Sequence, residues 1–110
     1  MSTITHFVAF RYKATTSDAE QHLVGSSFLA LQDQCEHPQR GGKYLTVTGG
    51  RNNSPEGFAK GFEHAWVVTF ASEEDRAYYL DHDPAHLKFK ELAGQHIEDL
   101  FVFDFEQGVF

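Results

Sequence analysis

Residues 63–89 read EHAWVVTFASEEDRAYYLDHDPAHLKF. From Glu63 to Phe70 the residues alternate: His64, Trp66, Val68 and Phe70 share one face, and Ala65, Val67 and Thr69 the other. A period of two over that length predicts a β-strand. Ser72 then stands where a helix N-cap belongs, and Glu73, Glu74 and Asp75 fill a first turn whose dipole favours acids. That helix is expected to run to about Leu80. His82-Asp83-Pro84 breaks it and opens another over 84–95, with Asp83 as N-cap and Pro84 as the first helical residue.

Downstream, Ile97 to Phe105 alternates again, with Phe101, Phe103 and Phe105 on one face and Leu100 and Val102 on the other. Upstream, Gly49 through Gly61 holds four glycines, two asparagines and a proline, which predicts a long mobile loop. Lys43 to Thr48 precedes it as a strand. Ser17 and Glu20 form a capping box for a helix over 17–36, in which Val24, Phe28, Leu31 and Cys35 make one apolar stripe. Ile4 to Tyr12 alternates as the first strand. The order β-α-β-β-α-α-β is the split βαβ pattern. The expected fold is therefore α+β: a ferredoxin-like four-stranded antiparallel sheet with helices on one face, in a single domain spanning 1–110. The first, third and fourth strands carry bulky apolar residues on both faces. An apolar face of that extent is usually an interface, so a homodimer with its sheets face to face is expected.

Composition narrows the function. The 110 residues are 41% apolar and 15% aromatic, enough for a packed core rather than a disordered chain. Nine basic against sixteen acidic residues give a net charge of −7. That excludes the basic footprint of a nucleic-acid binder and argues against an anionic membrane surface. No apolar run is long enough to span a bilayer. The start lacks the basic leader and apolar run of a signal peptide, so a cytoplasmic location is expected. A single cysteine leaves no internal disulfide, and Cys35 on the apolar stripe reads as a core residue rather than a nucleophile.

Histidine carries the chemical signal, with seven in the chain. His22, His37 and His96 fall in polar surroundings. His82 and His86 are four apart, but Pro84 lies between them and no further ligands stand out, so no metal site is expected. His6 and His64 occupy apolar strand faces, either as structural imidazoles hydrogen-bonded in the core or as parts of a cavity. Antiparallel pairing of the first and third strands sets them at opposite ends of the sheet. A nine-residue second helix returns about 13 Å along the third strand. That geometry predicts a cluster of Tyr79, His64 and His86, with His6 as a further candidate. Phe28, Trp66, Tyr78 and Phe89 are the candidate lining for a hydrophobic small-molecule ligand. Neutral histidine in such a cavity suits proton abstraction beside a carbonyl.

The opening ITHFVAFRYK, the block EGFAKGFEHAWVVTFASEEDRAYYLDHDPAHLKF and the ending DLFVFDF resemble the stress-responsive α/β-barrel (Dabb) family over nearly the whole chain. The resemblance implies pairing of two ferredoxin-like chains into a dimeric α/β barrel. The family includes olivetolic acid cyclase, a cofactor-free plant polyketide cyclase that performs an intramolecular aldol condensation. By that similarity His86 of Pro84-Ala85-His86 is the base, His6 and His64 are pocket histidines, and Tyr78 or Tyr79 is the helper tyrosine. Asp83 is an extra residue in the motif, and Phe28 stands where that enzyme has a second tyrosine. The resemblance thus implies a cofactor-free cyclase or lyase acting on a polyketide-like or aromatic substrate. The alternative is a non-catalytic, stress-associated dimeric binding or structural protein.

Overall fold

The computed structural model describes residues 3–110. Four strands, β1 (Ile4–Tyr12), β2 (Leu45–Arg51), β3 (His64–Phe70) and β4 (Ile97–Glu106), alternate with three helices, α1 (Asp18–Gln34), α2 (Glu73–Asp81) and α3 (Pro84–Gly94). The strands form one antiparallel sheet in the order β2-β3-β1-β4. This is the ferredoxin-like α+β arrangement.

Each helix begins where its sequence supplies a cap. At α1, Ser17 Oγ accepts from the Glu20 N–H at 3.1 Å while Glu20 Oε1 accepts from the Ser17 N–H at 2.8 Å. Ser72 Oγ accepts from the Asp75 N–H at the start of α2. Asp83 Oδ1 accepts from the Ala85 N–H at the start of α3, with Pro84 in the first turn. These bonds satisfy amides that have no partner within the helix.

One strand departs from the sequence reading. β2 starts at Leu45 rather than Lys43 and continues through Gly49, Gly50 and Arg51, which pair with Trp66, Ala65 and His64. Glycine there reads as loop, but the ladder needs only backbone. A Cβ at Gly49 would lie 2.3 Å from the Trp66 ring and 2.6 Å from the Ala65 carbonyl oxygen. Close strand packing demands glycine at this position, and the connecting loop shortens to 52–63.

The helices lie on the face that holds Ile4, Val8, Phe10, Leu45, Val47, Trp66, Val68 and Phe70, and they bury it under Val24, Phe28, Leu31, Cys35, Tyr79, Phe89 and Ala93. They leave β4 bare on this side, where Leu100 and Val102 remain about half exposed. A trough between α3 and β4 results. On the opposite, helix-free face Phe101, Phe103 and Phe105 are exposed beside the half-buried Phe7.

Candidate functional site

The trough holds a cavity of about 350 Å³. β1 contributes His6, Val8 and Phe10; β4 contributes Asp104, Val102 and Leu100, their partners in register. The end of α2 contributes Tyr79, and α3 contributes His86, Phe89, Lys90 and Ala93 along one side. Register sets the polarity of this space. His6 pairs with Asp104 at one end and Phe10 with Leu100 at the other, about 13 Å apart along the strand. Polar chemistry sits at the first end and apolar surface at the second.

Two imidazoles meet at the polar end. His86 Nδ1 lies 2.7 Å from the Tyr79 carbonyl oxygen. A carbonyl can only accept, so Nδ1 carries the proton and Nε2 presents its lone pair. Burial pushes the His86 pKa down to about 4, partly opposed by the Tyr79 carbonyl and reinforced by the Lys90 ammonium. The ring is therefore neutral at neutral pH. It stacks on the Tyr79 ring at 3.8 Å between centroids. His6 Nδ1 lies 2.6 Å from Asp104 Oδ1, and Arg76 Nη1 donates to Asp104 Oδ2 at 3.1 Å. The guanidinium calls for an ionised carboxylate, so His6 donates from Nδ1 and likewise keeps Nε2 for other partners.

Tyr79 stands between them, 6.2 Å from His6 by ring centroids. Its hydroxyl is buried without a hydrogen-bond partner. Burial holds the phenol well above its ordinary pKa, so it keeps its proton and remains a donor. A buried, unsatisfied hydroxyl costs free energy unless something accepts from it. His86 Nε2, beside His6 at the end of an apolar cavity, can take a proton, while the Tyr79 hydroxyl is wholly buried on the side of Cys35 and Asp83.

The expected grouping of Tyr79, His64 and His86 does not form. Tyr79 stays 5.1 Å by ring centroids from Phe70, the last residue of β3. α2 therefore passes over that end of the sheet instead of returning along the strand. His64 sits at the other end, paired with Phe10 and not with His6. It shares a 2.8 Å hydrogen bond with the Tyr12 hydroxyl, and burial lowers its pKa. α1 comes close here: a Cβ on Gly25 would lie 3.3 Å from the His64 ring. His6, the further candidate, is the histidine that lines the cavity with His86.

Of the candidate lining residues, Phe28 and Phe89 face the cavity, 5.0 Å apart by centroids. Trp66 does not; it stacks on the far side of Phe28 at 4.4 Å. Tyr78 does not either, since it packs against Tyr44 at 5.8 Å. This leaves Tyr79 as the tyrosine of the site. Asp104, Arg76 and Lys90 escaped the sequence reading. For Asp104 a signal existed: an acid in register with Leu100 and Val102 interrupts an otherwise apolar strand face. Arg76 reads as ordinary helix surface until the fold brings it to β4. Among the described residues, no group of three or more His, Cys, Asp or Glu side chains is placed to hold a metal ion. No helix among them is long and apolar enough to cross a membrane.

Residues 4–107 match the stress responsive A/B barrel domain. Among curated proteins none matches the chain. The chain is similar in structure to hydroxynitrile lyase from Passiflora edulis, with a TM-score of 0.77, 23% identity, and 99% and 97% of the two chains covered. It is similar to a protein of Arabidopsis thaliana, with a TM-score of 0.77, 20% identity and 97% of each chain covered. It is also similar to a dimeric ferredoxin-like protein of unknown function from Thermobifida fusca, with a TM-score of 0.71, 21% identity, and 96% and 91% covered. At these identities the likeness carries the fold.

Proposed function

The chain belongs to the stress responsive A/B barrel domain family, and from that premise we propose that it is a small cofactor-free lyase or cyclase working by histidine-mediated proton abstraction. The substrate class is polyketide-like or aromatic, and the reaction an intramolecular aldol condensation. One observation supports the reading: a single apolar cavity brings together His6 and His86, with the Tyr79 ring stacked on His86.

In the first step His86 Nε2 takes a proton from the carbon between two carbonyls. The C–H electron pair passes into the enolate oxygen. The enolate carbon then attacks a second carbonyl of the same molecule and forms a C–C bond. The alkoxide so produced, on the ring that this bond closes, recovers the proton from His86, and loss of the hydroxyl with a neighbouring proton as water leaves a ring double bond. His6, whose charged form Asp104 would balance, donates from Nε2 to the enolate oxygen. The apolar end at Phe10, Phe28 and Phe89 takes the hydrocarbon part of the substrate. A lyase in the structural neighbourhood supports lyase-type chemistry on this fold, as does the family resemblance.

The bare aromatic face of the sheet is assigned to a second copy of the chain. The dimeric ferredoxin-like neighbour supports that assembly, and it completes the expected dimeric α/β barrel. The test is turnover of poly-β-keto substrates by the purified protein. His86→Ala is expected to lose about 10²–10⁴-fold in rate while remaining folded. Unchanged turnover in the folded variant removes His86 from the mechanism and favours a non-catalytic binding protein.

A further inference from the structure

Among the described residues, Lys90 is the one lysine or arginine that lines the cavity. It follows His86 by one turn of α3, about 6 Å along the helix, on the side that faces the trough. Its Nζ donates to the Leu80 carbonyl oxygen at 3.3 Å. Leu80 belongs to the last turn of α2, whose carbonyls lack partners within the helix, and it lines the cavity as well. The bond holds the ammonium at the cavity mouth and uses one of its three donors.

Among the described residues nothing answers that charge. No carboxylate lies within ion-pair distance of Lys90; Lys13, Arg40, Arg51, Lys60 and Lys88 likewise have none, but none of those lines the cavity. Asp104, the cavity's own acid, is already engaged by His6 and Arg76. The cavity therefore has one ammonium, exposed at its mouth, with no acid of its own to pair it.

Resting on the acid–base reading of this cavity, we propose that its substrate is a carboxylate, an oxo acid whose carboxyl group is held by the Lys90 ammonium about one helical turn from the carbon that His86 deprotonates. A lone ammonium with two spare donors matches the single charge of a carboxylate better than a phosphate dianion. Lys90 is thus a specificity residue: it selects acids over their neutral counterparts and sets which carbon reaches His86.

The test compares binding of 2,4-dihydroxybenzoate with that of resorcinol, by titration calorimetry on the wild-type protein, Lys90→Met and Lys90→Arg. The wild type is expected to prefer the carboxylate by about fivefold to tenfold, the scale of one charge-assisted hydrogen bond at a partly wet site. Lys90→Met should lose that preference and keep its affinity for resorcinol; Lys90→Arg should retain it. Lys90→Gln gives the same readout if methionine disturbs folding. A purely structural role, capping α2, predicts a lower melting temperature with the preference intact, and that result overturns the proposal. Equal binding of both probes by the wild type overturns it too, while leaving the acid–base site standing. Failure of both probes to bind the wild type, or binding of resorcinol alone, overturns this proposal, and only the first also counts against the small-molecule cavity.

Discussion

At the residue scale the site is defined by what each polar atom has left to give. His86 spends its N–H on a backbone carbonyl and Tyr79 spends nothing. Tyr79→Phe should therefore leave stability within about 1 kcal/mol of wild type, because no hydrogen bond is lost. Turnover should stay within about tenfold of wild type, because the ring that stacks on His86 remains; denaturant midpoints and rates together check this. His86 also ties stability to pH. Its folded pKa, about 4, lies below the ordinary histidine value, so between about 6.5 and 4 the unfolded chain binds the extra proton. Stability is full above that window and falls as pH drops through it. The loss from this group should be on the order of 2–3 kcal/mol by pH 4, and His64, lowered by burial, acts in the same direction. Urea midpoints across this range should fall less steeply in His86→Gln. His6 and His64 were legible in the sequence on apolar strand faces and His86 in the Pro84-Ala85-His86 motif, but their partners were not. Asp104 lies 98 positions from His6, and only strand register joins them.

At the element scale, position follows from caps and from where helices cross the sheet. Both short helices start where Ser72 and Asp83 indicate, because capping is a local interaction that the sequence states outright. The path of α2 is a tertiary matter: Tyr79 packs on Phe70, and that contact moves the site from His64 to His6. The β2 extension was hidden for the opposite reason, since Gly49 and Gly50 carry a local loop signal that close packing on Trp66 overrides. Asp83 ties two elements together. Its carboxylate caps α3 and accepts from the buried Tyr44 hydroxyl at 2.5 Å. Asp83→Ala should cost about 2–4 kcal/mol, a lost cap plus a stranded buried donor. Tyr44→Phe should cost less than half of that. Chemical denaturation of the two variants checks the order.

At the scale of the whole molecule, one sheet face is covered by helices and the other shows Phe101, Phe103 and Phe105. This imbalance is legible in the alternation of the sequence, because both faces of β1, β3 and β4 carry large apolar groups. A homodimer should bury more than about 1,000 Å² in total, and Phe103→Glu should give a monomer or unfolded protein by light scattering. A monomeric wild type at micromolar concentration would contradict that assembly. The proposed activity itself rests on proton removal in the His6–Tyr79–His86 cavity. Its most direct test is deuterium wash-in from solvent at the acidic carbon of a 3,5-dioxo acid, followed by NMR. The wild type should exchange that proton well above the buffer rate, and folded His86→Ala should fall back by about 10²-fold or more. Exchange no faster than buffer, or undiminished in the variant, would contradict it.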